Sequence, residues 1–235
     1  MKILALDSTA IVASCAILED ERLLAAFTVN NGNTHSETLL PMVESSLKLL
    51  GLNPSDIDLF ALSEGPGSFT GVRIGAATIK GLAFGKNKPC IGVSTLEALA
   101  HNLIGFNGII CPAMNARRNQ VYTALFECKD GEIKRLTEDK AIAVTELEDE
   151  LQNYDLPIYL CGDGDFLLYE SKTRKKDYEF VPEPLRYQSG YSVGKCALMK
   201  YNSGEIKTDL TIAPTYLRPS QAERTRNEKI KENIK

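Results

Sequence analysis

The sequence predicts an α/β protein built from two related lobes, and three observations carry that expectation. Through the first hundred residues, short apolar runs alternate with stretches of helical period. Near residue 109 the run of strands restarts. Set against the N-terminus at a constant offset of 108, its strand, turn and strand fall into register without a gap. The length of 235 residues, 43% hydrophobic and 25% charged, allows one large domain or two small ones with a real core.

Each element has its own signal. Lys2–Leu6, Val12–Leu18 and Arg22–Val29 read as strands. They are joined by Asp7-Ser8-Thr9 and Glu19-Asp20-Glu21-Arg22, links short enough for an antiparallel meander. A helix follows. Thr34 and Glu37 form a capping-box pattern, Gly51 is a stop, and Leu39, Leu40, Val43, Leu47 and Leu50 make one apolar stripe. Pro41 inside it predicts a kink or a late start. Ile57–Ser63 reads as a buried strand, then a glycine-rich turn, a helix over Val72–Phe84, a strand over Cys90–Val93, and a helix capped by Ser94. The order βββαβαβα implies a mixed sheet with helices packed on it.

In the second half, Ile109–Met114, Val121–Glu127 and Ile133–Thr137 read as strands, with a polar turn NARRNQ that sets Asn115 opposite Asp7. Further on, Ile158–Cys161 reads as a strand, Pro182–Pro184 as a connection and Ser192–Tyr201 as a helix; Gln221–Lys235 is polar and charged. The division is a lobe over 1–104, a lobe over 105–218 whose 192–202 helix is free to pack back on the first, and a charged tail over 219–235.

Composition excludes several functions. A formal net charge of −4 and a pI of about 5.4 disfavour stand-alone nucleic-acid binding. Two histidines, His35 and His101, cannot build a multi-histidine metal site, and neither sits in an H-x-x-x-H pattern. Six cysteines without C-x-x-C spacing read as buried reduced thiols. The apolar run Ile3–Leu6 is too short for a signal segment, and no stretch is long enough to span a membrane, so a soluble cytoplasmic protein is expected.

Three motifs remain. The segment Gly65 to Gly75, GPGSFTGVRIG, lies between a strand and a helix. Gly65, Gly67 and Ser68 offer a phosphate cradle, although the Gly-Lys-Ser/Thr ending of a P-loop is missing. The bland alternative is a tight turn, then a helix whose small face of Gly71, Gly75 and Ala76 lets another helix approach. Asp7, Ser8 and Thr9 suit magnesium or phosphate, but equally a self-capped turn, which is the favoured reading. Arg117 and Arg118 on the second-lobe turn suit an anion as well as a solvated hairpin.

LALDST, HSETLLP, SEGPGSFTGVRIG, MNARRNQVY and PTYLRPSQAE occur in one order from Lys2 to about Glu223. Together they closely resemble the TsaB (YeaZ) family of bacterial tRNA threonylcarbamoyladenosine biosynthesis proteins. The resemblance implies a two-lobed actin-like ATPase (ASKHA, ribonuclease H-like) fold with duplicated βββαβαβα-type units, the second degenerate. It implies a non-catalytic subunit without its own cofactor or metal, supporting the catalytic subunit TsaD. Pairing with TsaD, or with a second copy when alone, would use the first two helices through Leu39, Leu40, Val43, Leu47, Leu50, Gly71, Val72, Gly75, Thr78 and Leu82. The ATPase TsaE completes the complex, and tRNA is met only through it. Asp7, Ser8, Thr9, Gly65, Gly67 and Ser68 would be a vestigial nucleotide loop. The chain departs from the family at Asn115-Ala116-Arg117, where Asp-Ala-Arg is usual. A self-sufficient ATPase or kinase, and a peptidase, are the competing readings.

Overall fold

A computed structural model describes residues 1–218; the charged tail expected over 219–235 lies outside the described residues. In chain order the first part holds β1 (Lys2–Asp7), β2 (Ala13–Glu19), β3 (Arg22–Val29), α1 (His35–Leu50), β4 (Leu59–Gly65), α2 (Phe69–Ala83), β5 (Cys90–Ser94) and α3 (Thr95–His101). Then come β6 (Gly108–Arg117), β7 (Gln120–Thr123), β8 (Phe126–Lys129), β9 (Glu132–Arg135), β10 (Lys140–Ala143), α4 (Val144–Leu151), β11 (Ile158–Cys161), α5 (Phe166–Tyr169), α6 (Glu183–Arg186) and α7 (Gly190–Asn202).

The first sheet has the order β3-β2-β1-β4-β5. β1 is antiparallel to β2 and parallel to β4, and its side chains are buried on both faces because helices cover both sides of the sheet. On one face α1 and α2 close a core of Leu4, Leu6, Ile17, Phe60 and Leu62 against Leu39, Val43, Leu47, Ala76 and Ile79. On the other face α7, from the far end of the chain, packs Val193, Cys196 and Ala197 on Ile3, Ala5, Leu18 and Leu59. α3 fills the space toward the second sheet through Leu96, Leu99 and Ala100.

The second sheet repeats the plan in a broken form. β6 is central, and β7 and β8 both pair antiparallel with it while β11 pairs parallel. The strand expected over Val121–Glu127 is therefore interrupted at Ala124–Leu125. There the Leu125 N–H donates to the Thr137 hydroxyl at 2.8 Å and its carbonyl accepts from Leu136. The strand expected over Ile133–Thr137 is β9, which ends at Arg135 and pairs with β8, while a separate strand, β10, pairs with β7. Registration with the first lobe holds for β6 but slips by one residue beyond the turn. Asp7 pairs with Ser14, whereas Asn115 pairs with Val121, so the second hairpin is one residue tighter.

Other expectations need correction. Thr34 stands at the N-cap of α1 but makes no side-chain cap; its hydroxyl meets Ser36 instead, so the capping box does not form. The helix starts at His35 despite Pro41. α2 begins three residues early, because the Ser68 hydroxyl accepts from the Gly71 N–H and nucleates the turn there. The segment between Thr137 and Ile158, unassigned from sequence, forms β10 and α4, whose Val144, Leu147 and Leu151 carry the helical spacing. The short α6 begins in the Pro182–Pro184 connection and runs on to Arg186. Among the described residues no helix is long and apolar enough to cross a membrane.

Two glycine substitutions should have opposite effects. A Cβ at Gly190 would press on the backbone of Ala5, Cys15 and Ala16 within 2.7–3.0 Å, whereas one at Gly81, inside α2, would meet open space. Gly190→Ala is expected to destabilise by about 1–3 kcal/mol. Gly81→Ala should stabilise by up to about 1 kcal/mol. Urea unfolding of both variants checks the pair.

Candidate functional site

The C-terminal end of β1 leads into the expected Asp7-Ser8-Thr9 turn. Asp7 is buried, and both of its oxygens are engaged. Oδ1 accepts the Thr9 N–H at 2.9 Å and the Thr9 hydroxyl at 2.7 Å, and Oδ2 accepts the Ser63 hydroxyl from β4. Burial pushes the Asp7 carboxyl above its ordinary range, and the bonds from Ser63 and Thr9 pull it back.

This turn lies flat against α2. The Ser8 hydroxyl donates to the Gly71 carbonyl at 2.9 Å, and the Ser68 N–H donates to the Thr9 carbonyl at 2.6 Å. A Cβ at Gly71 would strike the Ser8 carbonyl, one at Gly67 the Thr9 backbone, and one at Gly75 would sit 2.8 Å from Ser8 Oγ. The glycine face of α2 is thus occupied by the chain's own β1–β2 turn. Gly65, with φ of +125°, is pressed against Thr215, whose N–H donates to the Glu64 carbonyl. Structure therefore brings Asp7, Ser8, Thr9, Gly65, Gly67 and Ser68 together, bonded mainly to one another and to α2.

Between the lobes is a cleft of about 440 Å³. Thr9, Gly67 and Ser68 line it, while Asp7, Ser8 and Gly65 do not. Its other wall is Asn115, Arg117, Tyr122 and Asp163, with Tyr216 and Arg218 of the C-terminal segment across the mouth. Tyr216 stacks on Phe69 at 4.7 Å between centroids and accepts from Arg73 Nε at 2.8 Å. Arg218 reaches the Ala116 carbonyl at 3.0 Å. Asn115 repeats the Asp7 turn: its Oδ1 accepts the N–H two residues on, from Arg117, at 2.8 Å. The amide oxygen keeps the hydrogen bond of that turn without the charge.

Asp163 has no counterpart in the sequence expectations. It follows β11 in Gly162-Asp163-Gly164-Asp165, and a Gly-Asp-Gly-Asp run after a buried strand is the signal that could have found it. Asp163 Oδ1 accepts the Asn115 N–H at 3.3 Å. Burial, aided by Asp165 and Asp7, pushes its carboxyl up to about 6.

The residues expected on a partner-facing surface divide by burial. Leu39, Val43, Leu47, Gly71, Val72 and Gly75 are buried in the chain's own core, which corrects their expected place at a partner. Leu40 is 54% exposed, and Leu50, Thr78 and Leu82 are half-buried. Leu49 and Phe84, unmarked from sequence, are 73% and 74% exposed on or beside the same two helices. His35 sits at the start of α1 with Nε2 donating to the Ala10 carbonyl at 2.6 Å. His101 ends α3 and bonds within its own helix. All six cysteines are free and buried, and burial pushes the Cys15 and Cys90 thiols to about 11 and Cys111 to about 12.

Comparison with known proteins places this geometry. The family model described as "TsaD: tRNA N6-adenosine threonylcarbamoyltransferase" matches residues 29–185. The tRNA threonylcarbamoyladenosine biosynthesis protein TsaB of Bacillus subtilis is 35% identical over 162 residues, covering 69% of this chain and 71% of that protein. The chain belongs to the TsaB family. The Escherichia coli TsaB is 37% identical over 152 residues, 64% of this chain and 65% of its own length. The solved structure of YeaZ from Pseudomonas aeruginosa matches with a TM-score of 0.79 at 26% identity, covering 92% of this chain and 99% of that one. The actin-like two-lobed fold expected from the TsaB resemblance is the fold observed.

A carboxyl raised by folding favours the native state while it is protonated. The contribution of Asp163 is full below its ordinary value of 3.8 and is lost as pH rises through about 6. Asp163→Asn, whose oxygen can still accept from Asn115, should therefore stabilise by roughly 1–3 kcal/mol near pH 8 and by nothing below about pH 4. Urea unfolding at both pH values measures this.

Proposed function

We propose that this chain is a non-catalytic subunit in the biosynthesis of threonylcarbamoyladenosine in tRNA, acting by binding and supporting the transferase TsaD. The observation that carries this reading is the closed turn at Asp7. In an actin-like ATPase the turn after the first strand faces the nucleotide phosphates. Here its carboxylate is held by Thr9 and Ser63, and Ser8 is bonded into α2, so neither lines the cleft. That closed turn supports a role exercised through the surface of the protein.

The exposed apolar residues of α1 and α2 support the docking half of the proposal. With Leu39, Val43 and Leu47 taken by the core, α1 still presents Leu40 and Leu49 to solvent on its two flanks, and Phe84 stands exposed at the end of α2. Burying a large apolar side chain contributes about 1.5–3 kcal/mol, so a few suffice for a specific contact. Self-association through the same helices is expected when TsaD is missing.

The test is co-elution of the purified chain with TsaD, followed by tRNA modification assays with and without it. Leu40→Asp combined with Phe84→Asp leaves the core untouched and should weaken the complex at least tenfold, with modification falling in parallel. Binding of that variant as tight as wild type would remove α1 and α2 from the interface. Wild-type chain that neither binds TsaD nor alters tRNA modification would overturn the proposal as a whole.

A further inference from the structure

We propose that the tip of the β6–β7 hairpin is a contact for an RNA phosphodiester backbone, made by Arg117 and Arg118. The backbone points to it first. Arg117, Arg118 and Asn119 have consecutive φ values of 63°, 55° and 55°. Two central residues with positive φ make the tight hairpin turn that asparagine and glycine favour. Asn119 obeys that preference; the two arginines oppose it.

The strained tip is held firmly. Arg117 N–H donates to Asn115 Oδ1, the Ala116 carbonyl accepts from Arg218, and the Asn119 carbonyl accepts from the Val144 N–H at 3.2 Å. Backbone strain kept in place by surrounding bonds is a mark of function when the side chains it presents are otherwise idle.

These side chains are idle. Among the described residues, every other arginine donates to a neighbour: Arg22 to Glu19, Arg73 to Tyr216, Arg135 to Asp139, Arg174 to the Tyr169 carbonyl, Arg186 to Asp165 and Arg218 to the Ala116 carbonyl. Arg117 and Arg118 are exposed and have neither a hydrogen bond from the guanidinium nor an acidic partner within 4 Å among those residues. Two adjacent unpaired guanidiniums on a rigid mount match phosphate oxygens, which they can meet in bidentate fashion.

The arrangement favours an extended polyanion over a single small anion. Arg117 lines the interlobe cleft and Arg118 does not, so one anion inside the cleft would use only half the pair. Choosing RNA over an acidic protein face rests on the function proposed above. With the whole chain at −4, no general field draws nucleic acid in; the contact is local and adds to binding supplied by the assembled complex.

The experiment measures tRNA binding by fluorescence anisotropy across a salt series, for the chain assembled with TsaD and for the isolated chain at low salt. The variant is Arg117→Gly with Arg118→Gly. Glycine suits positive φ, so its thermal midpoint should equal or exceed wild type. Affinity should fall about 5- to 20-fold at low salt, and the slope of log K against log salt should shrink by about 1–2, one phosphate contact for each arginine. Arg117→Lys with Arg118→Lys should keep most of the slope. Unchanged affinity and slope would overturn the inference. So would a variant that loses TsaD while its RNA binding is intact, which would assign the pair to an acidic protein face. If wild type does not assemble with TsaD, the proposed function fails, and the isolated-chain comparison still decides this one: no salt-dependent tRNA binding by wild type overturns it.

Discussion

A carboxylate taken out of water must be met by donors, and Asp7 is met on both oxygens. Much of the first lobe is arranged around that requirement. The turn folds back so that Thr9 can donate twice, and β4 must lie beside β1 so that Ser63 can donate from the next strand. Folding the turn back lays Ser8 and Thr9 on α2, and the helix accepts them only because Gly67, Gly71 and Gly75 leave room. The position of α2 then sets one wall of the cleft.

The second lobe shows which parts of this device are essential to the fold. Asn115 makes the same two-residue turn with an amide oxygen, in an exposed site where no second acceptor is needed. What differs is the hairpin behind it. Being one residue tighter, it forces positive φ onto two arginines, while the first-lobe turn reaches Ser14 without such strain. The same strand plan thus buries its turn in one lobe and displays it in the other.

The strands of the first lobe were legible because apolar runs and polar links alternate cleanly there. The second lobe was legible only where its strands run unbroken. The interruption at Ala124–Leu125 is stabilised by Thr137, thirteen and twelve residues on, and no local pattern announces it. The site was legible as a set of residues and not as a direction. Periodicity at Leu39, Val43 and Leu47 reveals that α1 has an apolar face, but a core and a partner make the same demand on sequence. Spacing at Gly71 and Gly75 reveals that something comes close, without saying that it is Ser8. Asp163 went unnoticed because its importance arises from burial beside Asn115, a residue 48 positions away.

By itself the sequence determined the order of elements in the first lobe, the duplicated strand plan, the Asp7 turn and the family, since each depends on local period or on ordered motifs. Only the tertiary structure decided which helix faces remain outside, that the glycine face is closed by the chain's own turn, that α7 returns to the first sheet, and that Arg117 and Arg118 are left without partners. Those are properties of which surfaces meet, and contact between distant segments is settled by packing and desolvation rather than by any repeat that a single stretch of chain can display.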